Sequence, residues 1–327
     1  MPGRRLAAFA LVVVAVLVLH IGVGSSANLS PVTVLRELFA GPGGDGNNLI
    51  VWQLRLPRAM ACVLVGAMLG LAGSSFQALF RNPLADPFIV GVSSGAAVGG
   101  SLALVLGLDA LLGSLARPML GFVSGVLALM LVIALARRHG VVDVQSLLLP
   151  GAVTGSLLAA VQSLVLLMAG QDTNHVLRWL MGAMHPMLWP LVGLMAVTLV
   201  LCGPILAIEA RRLNALAIGD DAARRLGVDV RRLRNIVLGT GTVMVAVCVG
   251  SVGIIGFLGL AAPHIARRVL GVDWRASMLG SLFVGAALLL VADGLAQRLP
   301  PGGELPVGVM TAVLGAPFLL TLLKRQG

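Results

Sequence analysis

The sequence predicts an all-α integral membrane protein of about ten transmembrane helices with both termini cytoplasmic. Three observations carry that prediction. The 327 residues are 58% hydrophobic and 11% charged, whereas a soluble domain is roughly a quarter charged. Mean hydropathy is +1.01. The apolar residues form long runs, with arginines clustered between alternate ones. Glycine, at 42 residues, fits the same class, because small side chains let membrane helices approach closely. Ten spans of about 20 residues use about 200 positions. The remainder makes loops only, so residues 1–327 read as a single transmembrane domain.

Hydropathy marks ten segments: 6–24, 58–79, 88–107, 115–136, 145–169, 188–208, 235–254, 256–270, 276–293 and 305–323. The first follows Arg4 and Arg5 and ends at Ser25-Ser26-Ala27, a pattern shared with secretory signals. Its apolar core is long and the rest of the chain is equally greasy, so it reads as a retained span. Pro263 interrupts the eighth. With the N-terminus inside, 17 of the 23 basic residues, Arg137 and Arg138 among them, fall on the inner side, as the positive-inside rule demands. The outer six are Arg36, Arg55, Arg58, Arg117, Arg178 and Arg298. Trp52, Trp179, Trp189 and Trp274 fall near span ends, where interfacial aromatics belong.

Charge placement also excludes functions. The net charge of +10 sits on inner loops, which suits lipid headgroups rather than nucleic acid. Lys324 is the only lysine, so no phosphate-binding loop with its obligatory lysine is present. Any ATP hydrolysis must occur on another chain. Cys62, Cys202 and Cys248 lie far apart inside apolar runs and read as packing residues. An ion-coupled secondary transporter would place ionisable groups at span centres, and an enzyme would need an acid pair or His cluster there. Asp293 and Glu304 lie near span ends, so both classes are disfavoured. Asp293 reads as a partner of Arg298 or of a backbone N–H.

Two inner loops stand out. RNPLADPFIVGVSSGAA, residues 81–97, sets two prolines in a short polar turn, then restarts a helix at which Ser93 and Ser94 can cap free N–H groups. It reads either as a well-made turn or as a rigid gate on a polar pathway. RRLNALAIGDDAARRLGVDVRRLR, residues 211–234, reads as two short helices. Asn214 caps the first and Gly219 breaks it; Asp220 and Asp221 meet the second's dipole, and Gly227 ends it. Leu216, Ala222, Ala223 and Leu226 supply a small apolar face. Such a face favours docking on a partner over simple anchoring to lipid. A short echo adds an inverted internal repeat: Arg55-Leu-Pro-Arg58 with Gly73-Ser74 matches Arg232-Leu-Arg234 with Gly250-Ser251 across five spans.

A series of motifs runs along the chain: RLPR at 55–58, GAMLGLAGSSFQALFRNPLADP at 66–87, GVSSGAA at 91–97 and AIGDDAARRLGV at 217–228. It continues through GIIGFLGLAAPHIAR at 253–267, the aspartate and arginine of ADGLAQR, and ELPVGVMTAVLGAPFLLTLL at 304–323. In these motifs the chain resembles the permease family of bacterial ABC importers for vitamin B12, ferric siderophores and haem, the FecCD type. This resemblance implies a permease subunit in a bacterial cytoplasmic (inner) membrane, paired with a second permease subunit in a homodimer. Two cytoplasmic ATPases, which use ATP and Mg, and an external substrate-binding protein complete the system; this chain binds no cofactor or metal. The resemblance places the cytoplasmic gate on Asn82 and Leu84, and the ATPase coupling helices on 214–231, including Asn214, Leu216, Gly219, Asp220, Ala223, Leu226 and Gly227. It places Arg55, Arg58 and Arg298 where the binding protein docks. An iron chelate is the implied cargo, with haem or cobalamin the alternatives. His264 reads as packing or capping, and His175 and His185 as ordinary outer-loop residues, with haem handling the alternative. Gly182-Ala183-Met184 and Ile254 depart from the family's usual Gly-Ser-Leu and proline.

Overall fold

The polypeptide has little choice but helix: in lipid each backbone N–H and C=O must be paired within the protein. The computed structural model describes residues 2–22, 29–44, 46–136, 145–184, 187–299 and 303–326. Arg137, Arg138 and His185 lie outside them. Helices α1 (Pro2–Gly22), α2 (Pro31–Ala40) and α3 (Asn47–Leu49) lead through a π-helical turn (Ile50–Arg55) into α4 (Leu56–Phe80). Next come α5 (Val92–Val105), α6 (Asp109–Leu112), α7 (Ala116–Ala136), α8 (Leu148–Met168) and α9 (Thr173–Leu180). The chain continues with α10 (Trp189–Ile218), α11 (Asp220–Arg225), α12 (Val230–Val252), α13 (Leu258–Leu270), α14 (Trp274–Arg298) and α15 (Val307–Gln326). Among the described residues there is no strand. Among these residues, seven helical stretches are long and apolar enough to cross a membrane. Helices α5, α13 and α15 coincide with the other three predicted segments.

Helix α4 is the axis. Gly66–Phe80 is buried at every position, because α14, α10, α13 and α12 surround it. Its glycines explain how. A Cβ on Gly66 would strike the backbone of Gly285 and Ala286 in α14, and one on Gly285 would strike Gly66 in return. The two backbones therefore touch, and dispersion over that close seam replaces the hydrophobic driving force that lipid does not supply. Around this centre, α7, α8 and α10 turn apolar side chains outward, including Leu127, Leu157, Leu164, Val200 and Leu201. Such faces suit lipid.

Several sequence expectations are corrected. Helices α2 and α9 were not expected, since neither is long or uniformly apolar. Ser30 caps α2 by accepting from Thr33 N at 3.1 Å, and α9 buries Val176 and Trp179 at helical spacing. Trp179 is thus a core residue whose ring lies against Gly100 of α5, not an interfacial one. Ser93 does not cap α5: Gly91, at φ 76°, stands at that position, and Ser93 Oγ has no hydrogen-bond partner among the described residues. The polar turn is closed instead by Asp86, which accepts from Phe88 N at 3.0 Å.

Replacing Gly66 with valine is predicted to cost at least the ~1–3 kcal/mol of ordinary overpacking, because backbone rather than a movable side chain opposes it. Size-exclusion yield and thermal melting in detergent check this. Gly239, where a Cβ meets nothing within 4 Å, should accept alanine without loss.

Candidate functional site

Polar groups collect at the two ends of α4. At the end predicted to face outward, Arg58 is buried and bidentate: its Nε and Nη2 donate to the Asp293 carboxylate at 2.8 and 2.9 Å. Its Nη1 donates to Glu304 Oε2 at 2.7 Å. Gln297 Nε2 donates to Asp293 Oδ2 at 2.9 Å, and His20 Nε2 lies 2.8 Å from the same oxygen. Arg55 is also buried, donating to the carbonyls of Ile21 and Gly22. These contacts engage the guanidiniums of Arg55 and Arg58 within the chain, Arg58 also lining a neighbouring cavity, while Arg298 is exposed. They correct one expectation. Asp293 is the partner of Arg58 and His20 rather than of Arg298. A cavity of about 820 Å³ opens beside this cluster, lined by Arg58, Glu304, Arg117 and Asp109, with His175 and Arg178 of α9. His264, in α13, makes an edge contact with Phe318 at 5.8 Å between ring centres.

At the opposite end, α4 stops in a Schellman turn: Arg81 N donates to Ala78 O, and Asn82 N to Gln77 O. Arg81 itself takes a left-handed conformation, φ 51°. Asn82 then folds its side chain back, Oδ1 accepting from Leu84 N at 2.9 Å. Leu84 projects outward, 41% exposed. Burial pushes the carboxyl of Asp86 up to about 6, against the opposing bond from Phe88 N–H. The loop is thus internally braced by short side-chain-to-backbone bonds.

The 211–234 segment differs from its sequence reading. Helix α10 runs unbroken to Ile218, so Asn214 caps nothing in this loop. Its side chain instead grips the start of α14: Nδ2 donates to Asp273 Oδ1 at 2.8 Å, and Oδ1 accepts from Trp274 N at 3.0 Å. That bond, with another from Arg275 N–H, holds the Asp273 carboxyl below the usual carboxylate range. Gly219, at φ 135°, makes the corner between α10 and α11. Gly227 N donates to Arg224 O and Val228 N to Ala223 O, a second Schellman turn that ends α11. The expected apolar face is divided. Leu216 and Ala223 point into the body, whereas Leu226 is 66% exposed and Ile218, which sequence reasoning missed, 74%. Ile218 closes a long apolar helix, so only the corner at Gly219 reveals that it turns outward. Asp220 sits 2.6 Å from Arg234 Nη2 and 3.3 Å from Arg81 Nη2, which brings the turn after α4 and the α10–α11 corner together.

Comparison with known proteins accords with this arrangement. The profile of the FecCD transport family matches residues 11–325. The cobalamin import system permease protein BtuC of Halobacterium salinarum is 39% identical over 278 residues, covering 85% of this chain and 74% of that one. The Fe(3+)-citrate import system permease protein YfmE of Bacillus subtilis is 35% identical over 326 residues, 99% of this chain and 96% of that one. A solved structure of a metal-chelate type ABC transporter in an inward-facing conformation superposes with a TM-score of 0.85 at 29% identity, covering 99% of both chains.

Two predictions follow from these ends. Arg58→Met strands two carboxylates and should cost about 3–5 kcal/mol, whereas Arg58→Met with Asp293→Leu should recover much of it; melting temperatures of both variants decide. The folded Asp86 value lies above that of an exposed aspartate, about 3.9. Stability from this group is therefore full below about pH 4 and lost as pH rises through about 6. A melting profile across that range should show the inflection, and Asp86→Asn should remove it.

Proposed function

The chain belongs to the FecCD transport family, and from that premise we propose that it is the transmembrane permease subunit of an ATP-binding-cassette importer. Its cargo in this reading is an iron chelate, a ferric siderophore, moved into the cytoplasm by alternating access across the bacterial inner membrane. Both termini then lie in the cytoplasm and ten helices span the bilayer. The observation that carries the reading is the α10–α11 corner. A chain with no lysine for a nucleotide site nevertheless builds a rigid helical elbow that presents Ile218 and Leu226 to its surroundings. Apolar side chains held out from a braced elbow suit a groove on another protein. That other protein is a cytoplasmic ATPase, two per assembly, which supplies the ATP and Mg chemistry; this chain is not an enzyme and holds no cofactor or metal of its own.

The remaining roles take their places on this frame. A second copy of the chain completes the pathway, and Asn82 and Leu84 form its cytoplasmic gate, with Leu84 already projecting from the braced turn. Gly219, Asp220 and Gly227 shape the coupling elbow, while Asn214, Leu216 and Ala223 fasten it to the body. An external binding protein docks outside, with exposed Arg298 on that surface. An inverted repeat is supported by two helix starts: Gly91 before α5 and Phe257 before α13 share a left-handed backbone, φ 76° and 67°.

Relatives that carry cobalamin and ferric citrate are similar to this chain to nearly the same degree, so cargo is decided by uptake. Cells carrying or lacking the chain are given radio-iron on a ferric siderophore, with labelled haem and cobalamin in parallel. Chain-dependent iron uptake that stops on ATP depletion supports the proposal; haem or cobalamin uptake alone replaces the cargo. Leu226→Glu combined with Ile218→Glu should reduce copurification of the ATPase at least tenfold, since a charge in an apolar groove costs about 1.4 kcal/mol or more. Undiminished copurification would move the docking surface elsewhere.

A further inference from the structure

Helix C-caps in the left-handed region are normally glycine or asparagine, because a Cβ there strains the backbone. At the end of α4 the chain uses Arg81 instead, at φ 51°. A strained backbone persists where something else holds it, and here the side chain shows what does. Arg81 Nη2 lies 3.3 Å from Asp220 Oδ1, while the other oxygen of that carboxylate accepts from Arg234 Nη2 at 2.6 Å. Asp220 thus has two arms, one on the turn that carries Asn82 and Leu84, the other on the first turns of α12. It stands as the first residue of α11. The adjoining corner is made by Gly219, at φ 135°, a backbone conformation that favours glycine, and Arg81 Nη1 lies beside it. Asp220 and Arg234 are partly shielded, 26% and 14% exposed, while Arg81 is 39% exposed, so solvent screens the Arg234 arm less than the Arg81 arm.

We infer that Arg81 and Asp220 form an electrostatic link through which displacement of the α10–α11 elbow is passed directly to the 81–86 turn. The inference rests on the permease reading for its consequence and on the geometry alone for its existence. In this arrangement Arg81 is a positioning residue: it touches no cargo, and acts by tying the gate turn to the element that meets the ATPase. When the elbow moves, Asp220 either carries Arg81 with it or releases it, and the turn has two held positions rather than a continuum. Arg234 keeps the carboxylate oriented in both.

Arg81→Gly separates this role from a merely structural one, because glycine is the residue that a left-handed C-cap prefers. The variant should fold at least as well as the parent and yet lose the link. Spin labels on Pro83→Cys and Asp221→Cys report the separation of turn and elbow in the complete complex. A narrow distance distribution is expected for the parent and a broadened one for Arg81→Gly, with Arg81→Lys, which keeps the charge, remaining narrow. Chelate transported per ATP hydrolysed should fall about tenfold in Arg81→Gly, a typical size for coupling between two sites, with hydrolysis continuing. An unchanged distance distribution in Arg81→Gly overturns the link itself. A broadened distribution with undiminished transport per ATP overturns its role in coupling. A parent complex that hydrolyses ATP and moves no chelate sinks the permease reading instead, and the distance measurement still decides the link.

Discussion

Helix α4 is enclosed by protein on all sides, and that enclosure sets the terms for the rest of the molecule. A helix buried at every position from Gly66 to Phe80 has no lipid or water there to satisfy anything polar it carries. Its middle is therefore glycine, alanine and other small or apolar residues, so that α14 can lie against its backbone. Its charged and amide side chains, Arg58 and Gln77, stand towards the ends, and each is met by a neighbour. Arg58 is held by Asp293 and Glu304 at one end. Gln77 at the other accepts from Arg267 Nη2 at 2.7 Å and donates to Gly259 O at 3.2 Å. One central helix thereby fastens α13, α14 and the turn after it into a unit.

The two ends use charge differently, and function follows the difference. At the Arg58 end the pairs with Asp293 are buried, which fixes α1, α4 and α14 relative to one another. Breaking such a pair is costly, so this end acts as a frame. At the Arg81 end the pairs are partly open to solvent and lie between loops instead of within the helix bundle. Contacts of that kind are individually modest and can exchange as elements move. A frame at one face and exchangeable contacts at the other suit a pathway opened from the inside by an external source of work.

Much of the architecture was legible in the sequence because the solvent is lipid. Hydropathy runs located the long helices, although α10 runs ten residues past its predicted end and α12 starts five residues early, and the family motifs pointed to both loops. What escaped was whatever depends on a partner far along the chain. Arg58 reads as an outer-surface cation until Asp293, 235 residues away, is seen beside it. Asn214 has the chemistry of a cap, and it does satisfy a helix start, but that of α14 and not its own. Helix α2 is short and amphipathic, so average hydropathy passes over it. The division of the α11 face, Ala223 inward and Leu226 outward, needs the corner at Gly219 to be drawn before it can be read.

The central claim is that work enters this chain through the α10–α11 elbow from a partner's ATP, and not through ionisable groups in its spans. Proteoliposomes holding the chain with its ATPase and binding protein, with no ion gradient across the bilayer, test it most directly. The account predicts chelate uptake that requires hydrolysable ATP on the side of the elbow and is indifferent to an uncoupler. Uptake that proceeds without ATP when a proton or sodium gradient is imposed would contradict it.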